Sequence, residues 1–262
     1  MFLIFKKHRV EMKDTSEEVK VYDNFADDLS QGIDVVDRRT YEIIVDSRRK
    51  ELIKYWLAGK KGLVLDYGCG DGSFSRFIKT DLKNDVIGVD LSGGMIRFAS
   101  KKDEEVHYLI VNCHELPFRD ESFDAIVAVG VFHHLDIKKS MSECKRLLRK
   151  KGFLVIFEPN SLCPLSFMGR RMFKTKIHTS TERPYNYWSF VSEIRANGFS
   201  KVELRFLSSF AFIFPFIWAS KFAHLFNFLK KYAKILRIID THFEKIPLIK
   251  QFSWMFCCKC VS

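Results

Sequence analysis

Apolar positions recur with two periods along this chain. In "SEEVKVYDNFADDLSQGIDVVDRRTYEIIVDSRRKELIKYWLAGKK", Tyr41, Ile44, Val45, Leu52 and Trp56 fall at helical spacing, which predicts a helical lead-in ending at Gly59. Shorter apolar runs alternating with amphipathic ones follow. Leu63 to Leu65 reads as a buried strand and Ser73 to Lys79 as a helix. Then come "DVIGVD" (strand), "GGMIRFAS" (helix), "VHYLIV" (strand), "FDAIVAVG" (strand), "KSMSECKRLLRK" (helix) and "GFLVIFE" (strand). Strand–helix–strand alternation at this length gives parallel strands joined by crossover helices, hence an α/β, doubly wound open sheet.

The pattern then changes. Pro159 to Trp188 reads as one long irregular segment, a candidate lid or substrate loop. "SFVSEIRANGFSKVELRFL" is a helix closed by Gly198 and then a strand. From Phe206 the chain is rich in Phe, but Pro215 and Lys221 break its longest apolar run, so no uninterrupted stretch of about 18 residues is there to span a bilayer. Beyond Pro215, Lys221, His224, Asn227, Lys231, Lys234 and Arg237 fall three or four apart, opposite Phe222, Leu225, Phe226, Leu229, Ile235, Leu236 and Ile239. This predicts a basic amphipathic helix. Its apolar face has two uses open to it: a membrane interface or substrate channel, or packing on the domain core. "FSWMFCCKCV" reads as a closing strand.

With 262 residues the chain is long enough to bury a large core without staples, and 47% hydrophobic with 29% charged residues is a soluble balance. Seven cysteines, scattered without metal-ligand spacing, suit reduced thiols in a cytoplasmic protein. Cys257, Cys258 and Cys260 are too crowded for a zinc knuckle and read as strand residues, so no metal site is expected. The start, "MFLIFKKHRVEMKD", carries its positive charges after the apolar run and so does not read as a signal peptide. A formal charge of +11 favours an anionic partner: a phosphorylated substrate, an acidic lipid surface or RNA.

The stretch "LVLDYGCGDGSFS" ends its apolar run at Asp66 and places Gly68, Gly70 and Gly72 in the turn from first strand to first helix. In a doubly wound sheet that turn lies where ligands bind, and missing Cβ atoms let the backbone bend and a ligand approach. Asp90 closes the second strand, placed to accept hydrogen bonds from ribose hydroxyls. A pyrophosphate-binding fingerprint has GxGxxG; here the pattern is GxGxG with Asp66 before it and Asp71 inside it, a setting suited to a cationic nucleoside.

Taken in order, "VLDYGCGDGSFS", "VIGVDLS", "NCHELPFRDESFDAIVAVGVFHHL" and "LLRKKGFLVIFEPN" resemble the class I S-adenosylmethionine-dependent methyltransferases, in the branch acting on small molecules, quinones and lipid-linked substrates. The resemblance covers about residues 60 to 160. It implies a Rossmann-like seven-stranded sheet whose last strand is antiparallel, with residues 1–59 as a helical cap, 60–214 as the cofactor domain, 215–248 as a helical insertion and 249–262 as the final strand. It further implies that Asp66 and the turn Gly68, Cys69, Gly70, Gly72 hold the methionine part of the cofactor, that Asp90 takes the ribose hydroxyls and Leu91 packs on adenine. Asn112, beside Cys113, stands where the family more often has Asp, and its carbonyl is expected to accept the adenine amino hydrogen. Tyr22 falls in the lead-in helix that closes over the cofactor in this branch.

Methyl transfer from a sulfonium mainly needs alignment and water exclusion, with a base where the acceptor must lose a proton. His133 and His134 follow the fourth strand, where the methyl would point, and are the candidate catalytic residues; capping and backbone bonding are the roles open to them otherwise. Glu158 ranks third and His114 reads as a loop residue beside the adenine. The expected acceptor is small and apolar or lipid-linked, reached at an anionic membrane surface. An RNA methyltransferase lacks support, since no RNA-binding module is appended, and a binding protein without catalysis is the other alternative. The acceptor's identity and the oligomeric state are not written in the pattern.

Overall fold

The computed structural model describes residues 17–33, 36–172, 182–218, 224 and 227–262. Seven strands form one sheet: β1 (Leu63–Tyr67), β2 (Asp85–Asp90), β3 (His107–Ile110), β4 (Phe123–Val129), β5 (Leu148–Pro159), β6 (Ser200–Leu207) and β7 (Met255–Val261), in the order β3-β2-β1-β4-β5-β7-β6. β1 to β5 run parallel, and β7 inserts antiparallel between β5 and β6. Strand order reverses between β1 and β4, and in such sheets the crevice outside the carboxyl ends at that switch is where ligands bind.

The strands are apolar on both faces because helices cover both. On one side Tyr67, Phe123, Phe132, Phe190 and Phe256 pack together; on the other Ile53, Trp56, Ile78 and Phe157 do. β7 contributes to both layers, Cys258 and Cys260 to the first and Cys257 to the second, so the crowded thiols are filling material in a buried strand. All seven cysteines are buried and unbridged. A third cluster, built on Ile44, Val45, Ala211, Phe212 and Ala233, joins the lead-in to the C-terminal insertion.

The lead-in comprises α1 (Glu17–Ser30), α2 (Arg38–Tyr41), a π-helical turn (Glu42–Asp46) and α3 (Ser47–Leu57). The crossover helices are α4 (Ser73–Thr80), α5 (Gly93–Lys102) and α6 (Ile137–Leu147). Two expectations change beyond β5. Pro159 to Trp188 is not irregular throughout: it holds α7 (Pro164–Met172), and α8 (Tyr187–Ala196) begins before its end. Its middle lies outside the described residues, as do Lys174, Lys176 and the side chains of Arg170 and Arg171.

The basic helix beyond Pro215 is also not one helix. Pro215 lies inside the short α9 (Ile213–Trp218), a 3₁₀ turn covers Asn227–Tyr232, and α10 runs Ala233–Phe243; Lys221, Phe222, Leu225 and Phe226 lie outside the described residues. The predicted apolar face divides as well. Leu229, Ala233 and Leu236 pack into the third cluster, whereas Ile235, Ile238 and Ile239 stay exposed.

Candidate functional site

The turn after β1 is folded hard onto β2. The Gly68 and Cys69 amides both donate to Val89 O, at 2.9 and 2.8 Å. Gly68 (φ +72°) and Gly72 (φ +71°) adopt left-handed conformations, and a Cβ would overlap Val131 at the first and Tyr108 and Ala99 at the second. At Gly70 the amide donates to Asp90 Oδ2 (2.9 Å), and Ser92 N donates to Oδ1 (2.9 Å), so each carboxylate oxygen keeps a lone pair for a hydroxyl. Burial raises the Asp90 pKa, against the backbone N–H groups of Ser92, Gly70 and Leu91, which favour the ionised form.

Beside this turn lies a cavity of about 260 Å³. Of the sequence-derived candidates, Gly68, Gly70, Asp90, Leu91, Asn112, Cys113 and His134 line it. Asp66, Cys69, Gly72 and His133 do not. Asp66 is buried behind the turn, bonded by Ser75 Oγ at 2.5 Å, and burial pushes its pKa up to about 7. Asp71 points elsewhere and pairs with Arg38 at 3.1 Å. The acids bracketing the glycines are thus apart from the cavity; Asp90 and Glu18 are the carboxylates on its wall.

The loop after β3 forms the far wall. Asp136 N donates to His114 Nε2 (3.0 Å), which puts the ring proton on Nδ1, facing Asn112 Oδ1 at 3.1 Å; His114 N donates to the same oxygen (2.9 Å). Both lone pairs of the Asn112 carbonyl are therefore engaged. The carbonyl expected to accept from an adenine amino group is thus already held by the loop. Tyr67 OH holds Cys113 O at 2.6 Å and fixes the loop.

α1 roofs the cavity through one aspartate. Asp23 Oδ1 accepts from Ser92 Oγ (2.6 Å) and Gly94 N (2.7 Å) at the start of α5, where a Cβ on Gly94 would strike Asp23. From the same helix Glu18 and Tyr22, four residues apart on one face, reach His134: the Tyr22 hydroxyl is 3.1 Å from Nε2 and Glu18 Oε1 is 3.3 Å from Nδ1. His133 turns away and gives Nδ1 to Glu158 (2.8 Å). Glu158 is fully buried and also accepts from the amides of Val131 (2.9 Å), Phe132 (2.8 Å) and His133 (3.3 Å). It holds the turn after β4 and orients His133, while His134 fronts the cavity.

Sequence reasoning missed Glu18 and Asp23. The i, i+4 spacing of Glu18 and Tyr22 was a legible signal for a shared face; nothing local foretold that Asp23 would meet the start of α5.

Residues 65–156 match the family described as a methyltransferase domain. A demethylmenaquinone methyltransferase of Thermotoga maritima is 33% identical over 155 residues, 58% of this chain and 62% of that enzyme. A probable tRNA methyltransferase 9B of Mus musculus is 34% identical over 99 residues, 36% of this chain and 21% of that protein. The chain therefore spans less than two thirds of the length of these relatives. Among solved structures, phosphoethanolamine N-methyltransferase 2 of Haemonchus contortus with S-adenosylhomocysteine superposes with TM-score 0.60 at 20% identity, over 92% of this chain and 60% of that one, a likeness of fold. Residues 65–156 are thus a methyltransferase domain, set in a seven-stranded sheet whose order and glycine turn resemble those of the class I S-adenosylmethionine-dependent methyltransferases.

Proposed function

We propose that the protein transfers a methyl group from S-adenosylmethionine to a small, apolar or lipid-linked acceptor at an anionic membrane surface on the cytoplasmic side. The observation that carries the cofactor reading is Asp90, whose two oxygens are each pinned by one backbone amide beside a wall kept open by Gly68 and Gly70. A side chain at Gly70 would have only Met95 nearby, at 3.5 Å, and would fill the cavity instead. S-adenosylmethionine supplies an electrophilic methyl on a sulfonium when bound. The chain's own residues orient and seal: Asp90 takes ribose hydroxyls, Leu91 and the Asn112 amide hold the base, and α1 excludes water. His134, backed by Glu18 and facing Tyr22, is the group placed to hold an acceptor proton.

The acceptor class rests on the insertion. Ile235, Ile238, Ile239, Leu248 and Phe252 are all exposed, and Lys231, Lys234 and Lys245 are exposed beside them. An apolar row edged with lysines suits the boundary of an anionic bilayer, where each lysine adds about 1 kcal/mol. No helix among the described residues is long and apolar enough to cross a membrane. The insertion also touches the lead-in: Asp37 N bonds Pro215 O at 2.9 Å, and Arg38 beside it holds Asp71 on the outer side of the glycine turn.

Calorimetry with S-adenosylhomocysteine tests the first half, and flotation with vesicles containing phosphatidylserine or phosphatidylcholine alone tests the second. Heat with the nucleoside and flotation with the anionic vesicles at low salt are expected. No heat from folded protein overturns the cofactor reading; equal flotation with both vesicles, or none, overturns the membrane reading.

A further inference from the structure

The two histidines after β4 are each supported in the same way. His133 Nδ1 meets the Glu158 carboxylate at 2.8 Å and His134 Nδ1 meets Glu18 at 3.3 Å. A carboxylate on Nδ1 puts the ring proton there and leaves Nε2 as a lone-pair donor, the arrangement by which proteins orient imidazoles that bind metals. One ring alone backed by an acid is ordinary; here two adjacent rings, with centroids 4.0 Å apart, are both backed in this way.

A third ligand stands beside them. A nitrogen from each ring and a carboxylate oxygen of Glu182 all lie within 4.8 Å of one another. Glu182 is brought there by the backbone, since the next residue, Arg183, donates its N–H to His133 O at 2.9 Å. The Tyr22 hydroxyl, 3.1 Å from His134 Nε2, closes the group. The carboxylates of Glu182, Asp90, Glu18 and Glu158 all act on this hydroxyl, so the space is electronegative.

We propose that His133, His134 and Glu182 form a binding site for one divalent transition cation of the zinc type, beside the cavity on the side of His134. Two imidazoles and one carboxylate are a known donor set for such ions, with the fourth position left for water or a ligand oxygen. Bonds of about 2.0–2.2 Å to all three require the donors to draw in by roughly 1 Å, within reach of side-chain rotation. In the filled site the Tyr22 hydroxyl gives up His134 Nε2, His134 serves as a ligand instead of holding the acceptor proton, and the metal fastens the Glu182 segment to the turn after β4. An acceptor presenting an anionic oxygen completes the shell. The pattern was invisible as spacing, because Glu182 lies far along the chain from the adjacent histidines.

The test needs no turnover. Protein freed of metal by a chelator is titrated with Zn²⁺ under equilibrium dialysis, and separately with Co²⁺ followed by visible absorption, while S-adenosylhomocysteine calorimetry reports on the neighbouring fold. One equivalent of tightly held metal is expected, with Co²⁺ bands of a four- or five-coordinate nitrogen–oxygen site. Glu182→Gln, on a partly exposed segment, should weaken binding at least about tenfold while the nucleoside still binds; Glu18→Gln, behind His134, should weaken it about 10–100-fold. Metal uptake below a tenth of an equivalent overturns the proposal. So does uptake unchanged by Glu182→Gln, or a Co²⁺ spectrum dominated by near-ultraviolet sulfur charge transfer, which would mark the cysteines as the ligands.

Discussion

Replacing Glu158 by Ala removes the acceptor for four donors at once. In the folded chain its carboxylate receives the amides of Val131, Phe132 and His133 and the His133 ring N–H, in a place with no exposure to solvent. Each buried donor left without a partner costs about 1–3 kcal/mol, and water entering the space left by the side chain recovers part of that. A net loss of about 3–5 kcal/mol follows, the range for breaking a buried charged network. For a chain of this size that lowers Tm by roughly 6–20 °C. Glu158→Gln keeps one oxygen for Val131 and Phe132 but turns an amide donor toward His133 N–H, so it should fall between, at about 1–3 kcal/mol. Thermal unfolding followed by circular dichroism on the three proteins measures this. The order wild type, Gln, Ala is required; an Ala variant melting within about 2 °C of wild type would refute the assigned hydrogen bonds, because no relaxation could satisfy four buried donors so cheaply.

Gly72→Ala should lower Tm by at least roughly 2–8 °C in thermal unfolding, since a left-handed residue with a Cβ costs about 1–2 kcal/mol before its overlap with Tyr108 and Ala99 is counted. Tyr22→Phe keeps the ring but drops the bond to His134; Tm should move by no more than about 3 °C while nucleoside dissociation, followed by stopped-flow fluorescence, quickens. Asp66 supplies a pH test. Its pKa is 3.8 when unfolded and about 7 when folded, so between those values the folded chain holds a proton that the unfolded chain has released. Its contribution to stability is full below about 4, falls as pH rises toward 7, and is flat above; urea unfolding of Asp66→Asn should lack that decline, and parallel pH profiles for the two proteins would contradict it.

The cofactor half was legible because its signals are local. Gly68 and Gly72 must take positive φ, Asp90 must end its strand, and each shows in a few neighbouring residues. Side-chain direction was not. Asp66 and Asp71 flank the turn in sequence, yet strand pleating sends the first into the core and Arg38, from another helix, draws the second away. The Asn112 carbonyl looked free until His114 and Asp136 fixed a tautomer across the loop. The tail misled through periodicity: residues beyond Pro215 keep helical spacing, but packing of Leu229, Ala233 and Leu236 against the lead-in breaks the run into short pieces and turns three isoleucines outward.

The side chains that meet the histidine pair share one property. Glu18 and Tyr22 come from α1, Glu158 from the end of β5 and Glu182 from the segment before α8, and all four lie outside residues 65–156, the span matched as a methyltransferase domain. The shared domain therefore supplies Gly68, Gly70, Asp90 and the histidine pair itself, whereas the side chains that hold the pair come from the flanking parts of this chain. A demethylmenaquinone methyltransferase and a probable tRNA methyltransferase both match this chain. An acceptor cannot be carried over from either on identity in the core. It has to be found through the chemistry of the Glu18–His134–Tyr22 corner and of the exposed isoleucines, which is why metal uptake and vesicle binding are more informative first experiments here than trials of the relatives' substrates.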